Sequence, residues 1–130
     1  MITTVSTSDG LWSAVKVAHA GDTILLTPGN YSAMNLTGMN PNGMVTITSL
    51  DAGHPAVIAG ITLTNSSNLT FSHIELTPRV QGGIAVTLAA DTNIHFDHLN
   101  IHASATADGN AVMIRESKNV SVTNSEIHNI

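Results

Sequence analysis

The chain has 130 residues, a net charge of −5, 10% charged residues and 3% aromatics. Its four Lys and Arg residues form no run, which excludes nonspecific attraction to nucleic acid or to an anionic lipid surface, and no apolar run has the length of a membrane span. With no cysteine, neither a disulfide framework nor a thiolate zinc site is available.

The length suits one domain, 1–130. The opening MITTVSTSDG lacks a basic region followed by an apolar core, so no signal peptide is read there. Residues 2–6 read as a first strand. Ser8 is the expected N-cap of a helix over 9–20, with Asp9 in its first turn, where the helix dipole favours a negative charge. Leu11, Val15 and Ala18 share one helical face, Trp12 flanks it, and Gly21 is the expected terminator. Laid across the open end of a coiled stack, this helix would cover apolar residues and unpaired backbone groups. The alternative is a surface helix packed elsewhere.

Residues 22–60 read as irregular first coils. Ile24 and Leu26 alternate with polar neighbours, Pro28-Gly29-Asn30 makes a turn, and Met34 and Leu36 begin the next strand. A turn-rich loop follows at 38–43. Val45 and Ile47 align with Leu69 and Phe71 further on, and Leu50 aligns with Ile74.

From Ile61 to Ile127 the chain repeats one pattern three times: ITLTNSSNLTFSHIEL (61–76), VTLAADTNIHFDHLNI (86–101) and VMIRESKNVSVTNSEI (112–127). Asn68, Asn93 and Asn119 share a column, at intervals of 25 and 26 residues. Apolar columns run alongside: Ile61/Val86/Val112, Leu63/Leu88/Ile114, Leu69/Ile94/Val120, Phe71/Phe96/Val122 and Leu76/Ile101/Ile127. One inward column breaks, at Ile74/Leu99/Ser125. Within each copy the period is two and Val, Ile, Thr and Phe dominate, so each copy holds short strands, at 61–64, 69–71 and 74–76 in the first. Three strands per repeat, always in the same direction, describe one rung of a coil. The predicted fold is all-β: a right-handed parallel β-helix, a single-stranded solenoid of three sheets and about 4–5 coils with an N-terminal amphipathic capping helix.

Gly21-Asp22-Thr23-Ile24, the Pro28-Gly29-x-Tyr31 turn and the VTIT…AVI-x-G run (45–60) carry a resemblance to the pectin-lyase-like right-handed β-helix superfamily. The segment looks most like the N-terminal cap and first coils of the alginate lyase and chondroitinase B group of polysaccharide lyases. The resemblance implies a fragment of a longer β-helix, an extracellular or cell-surface location and an acidic polysaccharide as partner. It also implies catalytic Lys and Arg on later coils, outside this chain, so no catalytic residue and no cofactor are expected here.

Three sets of side chains are candidates for a site. The two-residue corner column is His73/His98/Asn124. The superfamily often stacks Asn at this corner, where left-handed backbone is needed, which makes it a structural ladder. Alternatively, His73 and His98 on adjacent rungs, about 4.8 Å apart, could hold a metal ion with help from His95. The outer face of the third sheet carries Glu75/Asn100/Glu126 and then Thr77/His102/His128, residue types suited to acid–base work but with Asn100 between the carboxylates. The outer face of the first sheet carries Thr62/Thr87/Met113 and Thr64/Ala89/Arg115. This face corresponds to the substrate groove in the related lyases, and Arg115, Thr62 and Thr87 are the candidate polysaccharide-binding residues. ADGN (107–110) reads as a corner turn.

Two functions follow as alternatives. One is the N-terminal part of a secreted carbohydrate-active or polysaccharide-binding β-helix, not catalytic by itself. The other is a structural or adhesive module that associates through its last coil. No helix is expected at that end, so a homodimer or larger homo-oligomer is expected there.

Overall fold

The computed structural model describes residues 2–77, 83–102 and 109–128. The chain begins with β1 (Ile2–Val5), followed by α1 (Ser8–Lys16). It then winds through β2 (Thr23–Leu26), β3 (Asn30–Tyr31) and β4 (Met34–Thr37), one strand for each of three faces. The second turn is β5 (Val45–Ser49), β6 (Ala56–Ile58) and β7 (Ile61–Thr64), and the third is β8 (Ser67–Ser72), β9 (Ile74–Leu76) and β10 (Gly83–Ala89). The fourth is β11 (Thr92–Asp97), β12 (Asn100–His102) and β13 (Gly109–Arg115), and β14 (Lys118–Thr123) and β15 (Glu126–His128) start a fifth.

Strands one turn apart pair in parallel, giving three sheets: β1-β2-β5-β8-β11-β14, β3-β6-β9-β12-β15 and β4-β7-β10-β13. The molecule is a parallel β-solenoid of about four turns with one short helix at its N-terminal end. The repeat columns are its register. Val86 pairs with Ile61 and Val112, Phe96 with Phe71 and Val122, and Ile101 with Leu76 and Ile127.

Alternation decides which side chains face inward. In β5, β7 and β9 every second residue is buried, and the inward sets merge into one core. Phe71 and Phe96 are fully buried, with their rings stacked at 5.4 Å between centroids and 15° between planes. Tyr31 is buried as well, and its hydroxyl donates to the Thr27 carbonyl at 2.8 Å, which gives the polar tip of the ring a partner.

The corners require left-handed backbone. Three columns of positive φ run along the solenoid: Asn65/Ala90/Glu116 at 50°, 56° and 50°, Asn68/Asn93/Asn119 at 59°, 60° and 54°, and His73/His98/Asn124 at 52°, 53° and 48°. Asn enters this region at low cost because its short amide bonds locally. Ala90 and Glu116 hold the same geometry without that help, held by the pairing of the strands on either side.

Four expectations are corrected. Leu50 does not align with Ile74. Ala56 takes that register, Leu50 is 51% exposed, and residues 50–55 loop outward between β5 and β6. The column alignment that placed Leu50 inward assumed a two-residue corner after Ile47, but Ser49 takes the next inward position, and its hydroxyl donates to the His73 carbonyl at 2.5 Å and accepts from the Ala56 amide at 2.9 Å. The N-cap is Thr7 rather than Ser8: the Thr7 side chain, on extended backbone, accepts from the Gly10 amide at 3.0 Å. The Ser8 hydroxyl instead accepts from the Ser32 amide. The helix stops at Lys16, capped at Val17, so it is shorter than 9–20, and Gly21 with φ +85° serves a turn four residues beyond that cap. Finally, the middle strand of the first repeat is longer than 69–71, spanning Ser67–Ser72.

At the N-terminal end α1 lies against β1 and β2 and puts Leu11 and Val15 into the core, beside the edge strand β1. Among the described residues, β13, β14 and β15 at the other end each pair on one side only. There Ile114 is 47% exposed, Val122 37% and Ile127 48%.

Candidate functional site

The corner between the β8/β11/β14 sheet and the β9/β12/β15 sheet collects the most chemistry. His73, His98 and Asn124 each turn this corner in left-handed backbone, so similar geometry recurs on the third, fourth and fifth coils. The imidazoles of His73 and His98 stack, with centroids 4.7 Å apart and planes 10° apart. Asp97, the last residue of β11, binds this column from the side. Its carboxylate accepts from Asn124 Nδ2 at 2.9 Å and from Thr123 Oγ1 at 2.8 Å, and its other oxygen lies 2.6 Å from His98 Nδ1. Those bonds, from Asn124 first, then His98 and Thr123, pull the Asp97 pKa down from 3.8 to about 2. Asp97 is therefore an ionised acceptor, and His98 Nδ1 is the donor of the pair.

A shallow groove of about 400 Å³ runs along this corner. Ala52 and Pro55 line it on the second coil, His73 on the third, His98 and Asn100 on the fourth, and Asn124, Ser125 and Glu126 on the fifth. The outward loop at 50–55 forms one wall. Asp51 stiffens that loop by accepting from the Gly53 amide at 2.9 Å and pairing with His54 Nδ1 at 3.0 Å, and the His54 bond is the larger reason its pKa falls.

The other candidates are placed as follows. His95 is turned to different partners: Nδ1 meets Ser121 Oγ at 2.6 Å and Nε2 meets Asn93 Oδ1 at 3.0 Å. The structure thus does not bring His95 to the His73/His98 pair. Stacked parallel rings also direct their in-plane lone pairs side by side rather than toward one point. Among the described residues no group of three or more His, Asp or Glu side chains is arranged to hold a metal ion. On the face of β9, β12 and β15, Glu75, Asn100 and Glu126 are in register, so Asn100 separates the carboxylates. His102 Nε2 contacts Glu75 Oε1 and lies 3.2 Å from Thr77 Oγ1. Thr62 and Thr87 pair in one column with Met113, while Arg115 pairs with Ala89, which pairs with Thr64. Arg115 is exposed. Ala107 and Asp108 of the expected ADGN turn lie outside the described residues, and Gly109 and Asn110 already belong to β13.

Two polar columns have a role that the sequence did not show: the Asn68/Asn93/Asn119 column was visible only as a repeat marker, and the Ser66/Asp91/Ser117 column was not singled out. The first is an amide ladder at Asn68/Asn93/Asn119. Asn119 donates to Asn93 Oδ1 at 2.9 Å, Asn93 donates to Asn68 Oδ1 at 2.7 Å, and Asn68 donates to the Pro41 carbonyl at 2.9 Å. The amide ladder thus runs along the start of β8, β11 and β14, while the corner after these strands carries His73, His98 and Asn124. The second is Ser66/Asp91/Ser117. Asp91 is buried, and its carboxylate accepts from the Ser66 amide at 2.8 Å and the Ala89 amide at 3.0 Å. Burial pushes its pKa up, and the two amides oppose the rise. The alignment that set the apolar columns already held both signals as recurring small polar residues.

No family model matches the chain, and none of the curated proteins does. Among solved structures, the chain is similar to the PL6 family alginate lyase AlyGC, with a TM-score of 0.49 and 19% sequence identity over 94% of this chain and 20% of that one. The chain thus spans about a fifth of that lyase's length.

Proposed function

We propose that this chain is a polysaccharide-binding segment of a β-helix and that it has no catalytic activity of its own. One observation carries the reading. The groove along the His73/His98/Asn124 corner crosses four coils and offers hydrogen-bonding side chains at every rung from His73 onward. A periodic protein surface suits a periodic polymer, because each coil can present a similar contact to each successive unit. With this reading goes an extracellular or cell-surface location. Affinity electrophoresis through gels containing soluble polysaccharides tests it, with retardation as the expected result and unaltered migration in all of them as the refutation. Assays for unsaturated uronates on alginate, pectate and chondroitin should stay flat. Metal-independent turnover that disappears in Arg115→Ala would make Arg115 catalytic and overturn this part.

The exposed side chains of Ile114, Val122 and Ile127 favour a second reading. In it two copies of this chain meet at this apolar face around a twofold axis. Light scattering should then give a dimer that Val122→Lys converts to monomer. A monomer at high micromolar concentration counts against it.

A further inference from the structure

The side chains along the corner groove bear on which polysaccharide it takes. Resting on the reading above, we infer that the groove binds an uncharged glycan lying along the solenoid axis, with sugar hydroxyls bonded to the His73/His98 ring edges and to Asn100 and Asn124. Three features of the groove support this.

The first is charge. Among the described residues neither Lys nor Arg lines the groove. Glu126 lines it directly, and Asp97 stands immediately behind His98. A uronate polymer would bring carboxylates toward these two without a fixed cation to meet them, in a chain whose net charge is already −5. An uncharged polymer meets no such repulsion.

The second is the hydrogen-bonding state of His98. Its Nδ1 donates to the ionised Asp97 carboxylate, so in the neutral ring Nε2 is an acceptor. An acceptor seeks a donor, and the hydroxyls of any glycan supply one, so this atom favours a sugar while the charge of the groove favours a neutral one. The ring is half exposed, so this atom can be reached from solvent. Asn100 and Asn124 belong to the same wall, and an amide can both donate to and accept from hydroxyls.

The third is shape. The lining residues step from the second coil to the fifth, roughly 14 Å at the inter-strand spacing. Ala52 and Pro55 add apolar surface at one end, suited to the C–H face of a pyranose.

The test compares hydroxyethyl cellulose, a soluble mannan and alginate in affinity electrophoresis, using the chain and its double variant His73→Gly/His98→Gly. Glycine enters the left-handed backbone of this corner without steric cost and offers no side-chain hydrogen bond, so the variant keeps the corner, and circular dichroism checks this. The expected result is retardation by a neutral polymer, little or none by alginate, and a dissociation constant weakened roughly tenfold in the folded double variant. Retardation by alginate alone would overturn the inference and leave the polysaccharide reading standing. Retardation by a neutral polymer that the double variant retains in full would also overturn it, by moving the site off this corner. No retardation by any of the three would refute both.

Discussion

Phe96 shows what a single residue contributes here. Its ring is fully buried between coils and stacked on Phe71, and a solenoid core is only one layer of side chains wide at each rung. Phe96→Ala leaves a void that neighbouring coils cannot fill without breaking register, so a loss of about 3–5 kcal/mol is expected in urea unfolding. A loss below about 1 kcal/mol would contradict this packing. The two perturbed aspartates act with opposite signs. Asp97 has a folded pKa of about 2 against 3.8, so its contribution is present above pH 3.8 and is lost as pH falls toward 2. Asp97→Asn should therefore lose less stability than the parent between those pH values. Asp91 has a raised folded pKa, so its contribution is full below 3.8 and declines as pH rises through the folded value. Asp91→Ser, which copies Ser66 and Ser117 of the same column, should flatten the pH dependence above 3.8. Unfolding curves for both variants across the acid range measure the two slopes.

At the scale of the element, the corners and the helix have separable energetics. The Asn93 corner needs φ of 60° and links two neighbouring amides. Asn93→Gly removes the ladder bonds but keeps the backbone free to adopt this region, whereas Asn93→Ala removes the bonds and adds the left-handed cost of about 1–2 kcal/mol. Ala is expected to be the worse substitution by about that amount, and equal losses would mean that backbone conformation contributes nothing here. For α1, Thr7→Ala should cost about 1 kcal/mol, since the Gly10 amide then loses its acceptor. Ser8→Ala removes a different bond, to the Ser32 amide, which ties the helix start to the end of β3 rather than capping it.

The whole molecule is close to one-dimensional, because each coil touches only its neighbours and stability accumulates rung by rung. Protection should therefore be graded along the axis. Amides of β8 and β11 have partners on both sides and a closed core beneath, while β13, β14 and β15 have one neighbour and exposed Ile114, Val122 and Ile127. Hydrogen exchange should be slowest in β8 and β11 and fastest in β14 and β15. Uniform protection through 112–127 would show that something covers that edge in solution, and the self-association reading supplies such a cover.

The parallel β-solenoid and its register from Ile61 to Ile127 were legible in the sequence, because stacking coils places like residues over like and the column alignment is itself the pairing. The corner column His73/His98/Asn124 was legible for the same reason, and its left-handed backbone through the family resemblance and the presence of Asn124. Where a loop leaves the coil, this logic stops. Leu50 and Ala56 compete for one column, and alternation cannot say which residues are excluded when no repeat partner has the same length. The helix end at Lys16 likewise depends on where β1 and β2 receive Leu11 and Val15, not on the nearest glycine. The groove was decided by tertiary structure alone. Asp97, His98 and Asn124 meet across adjacent coils through short, directional bonds, and Ala52 and Pro55 reach the same wall only because residues 50–55 bulge outward. Periodicity reports which side of a strand faces the core. It does not report how polar side chains outside the core converge, and that convergence forms the site.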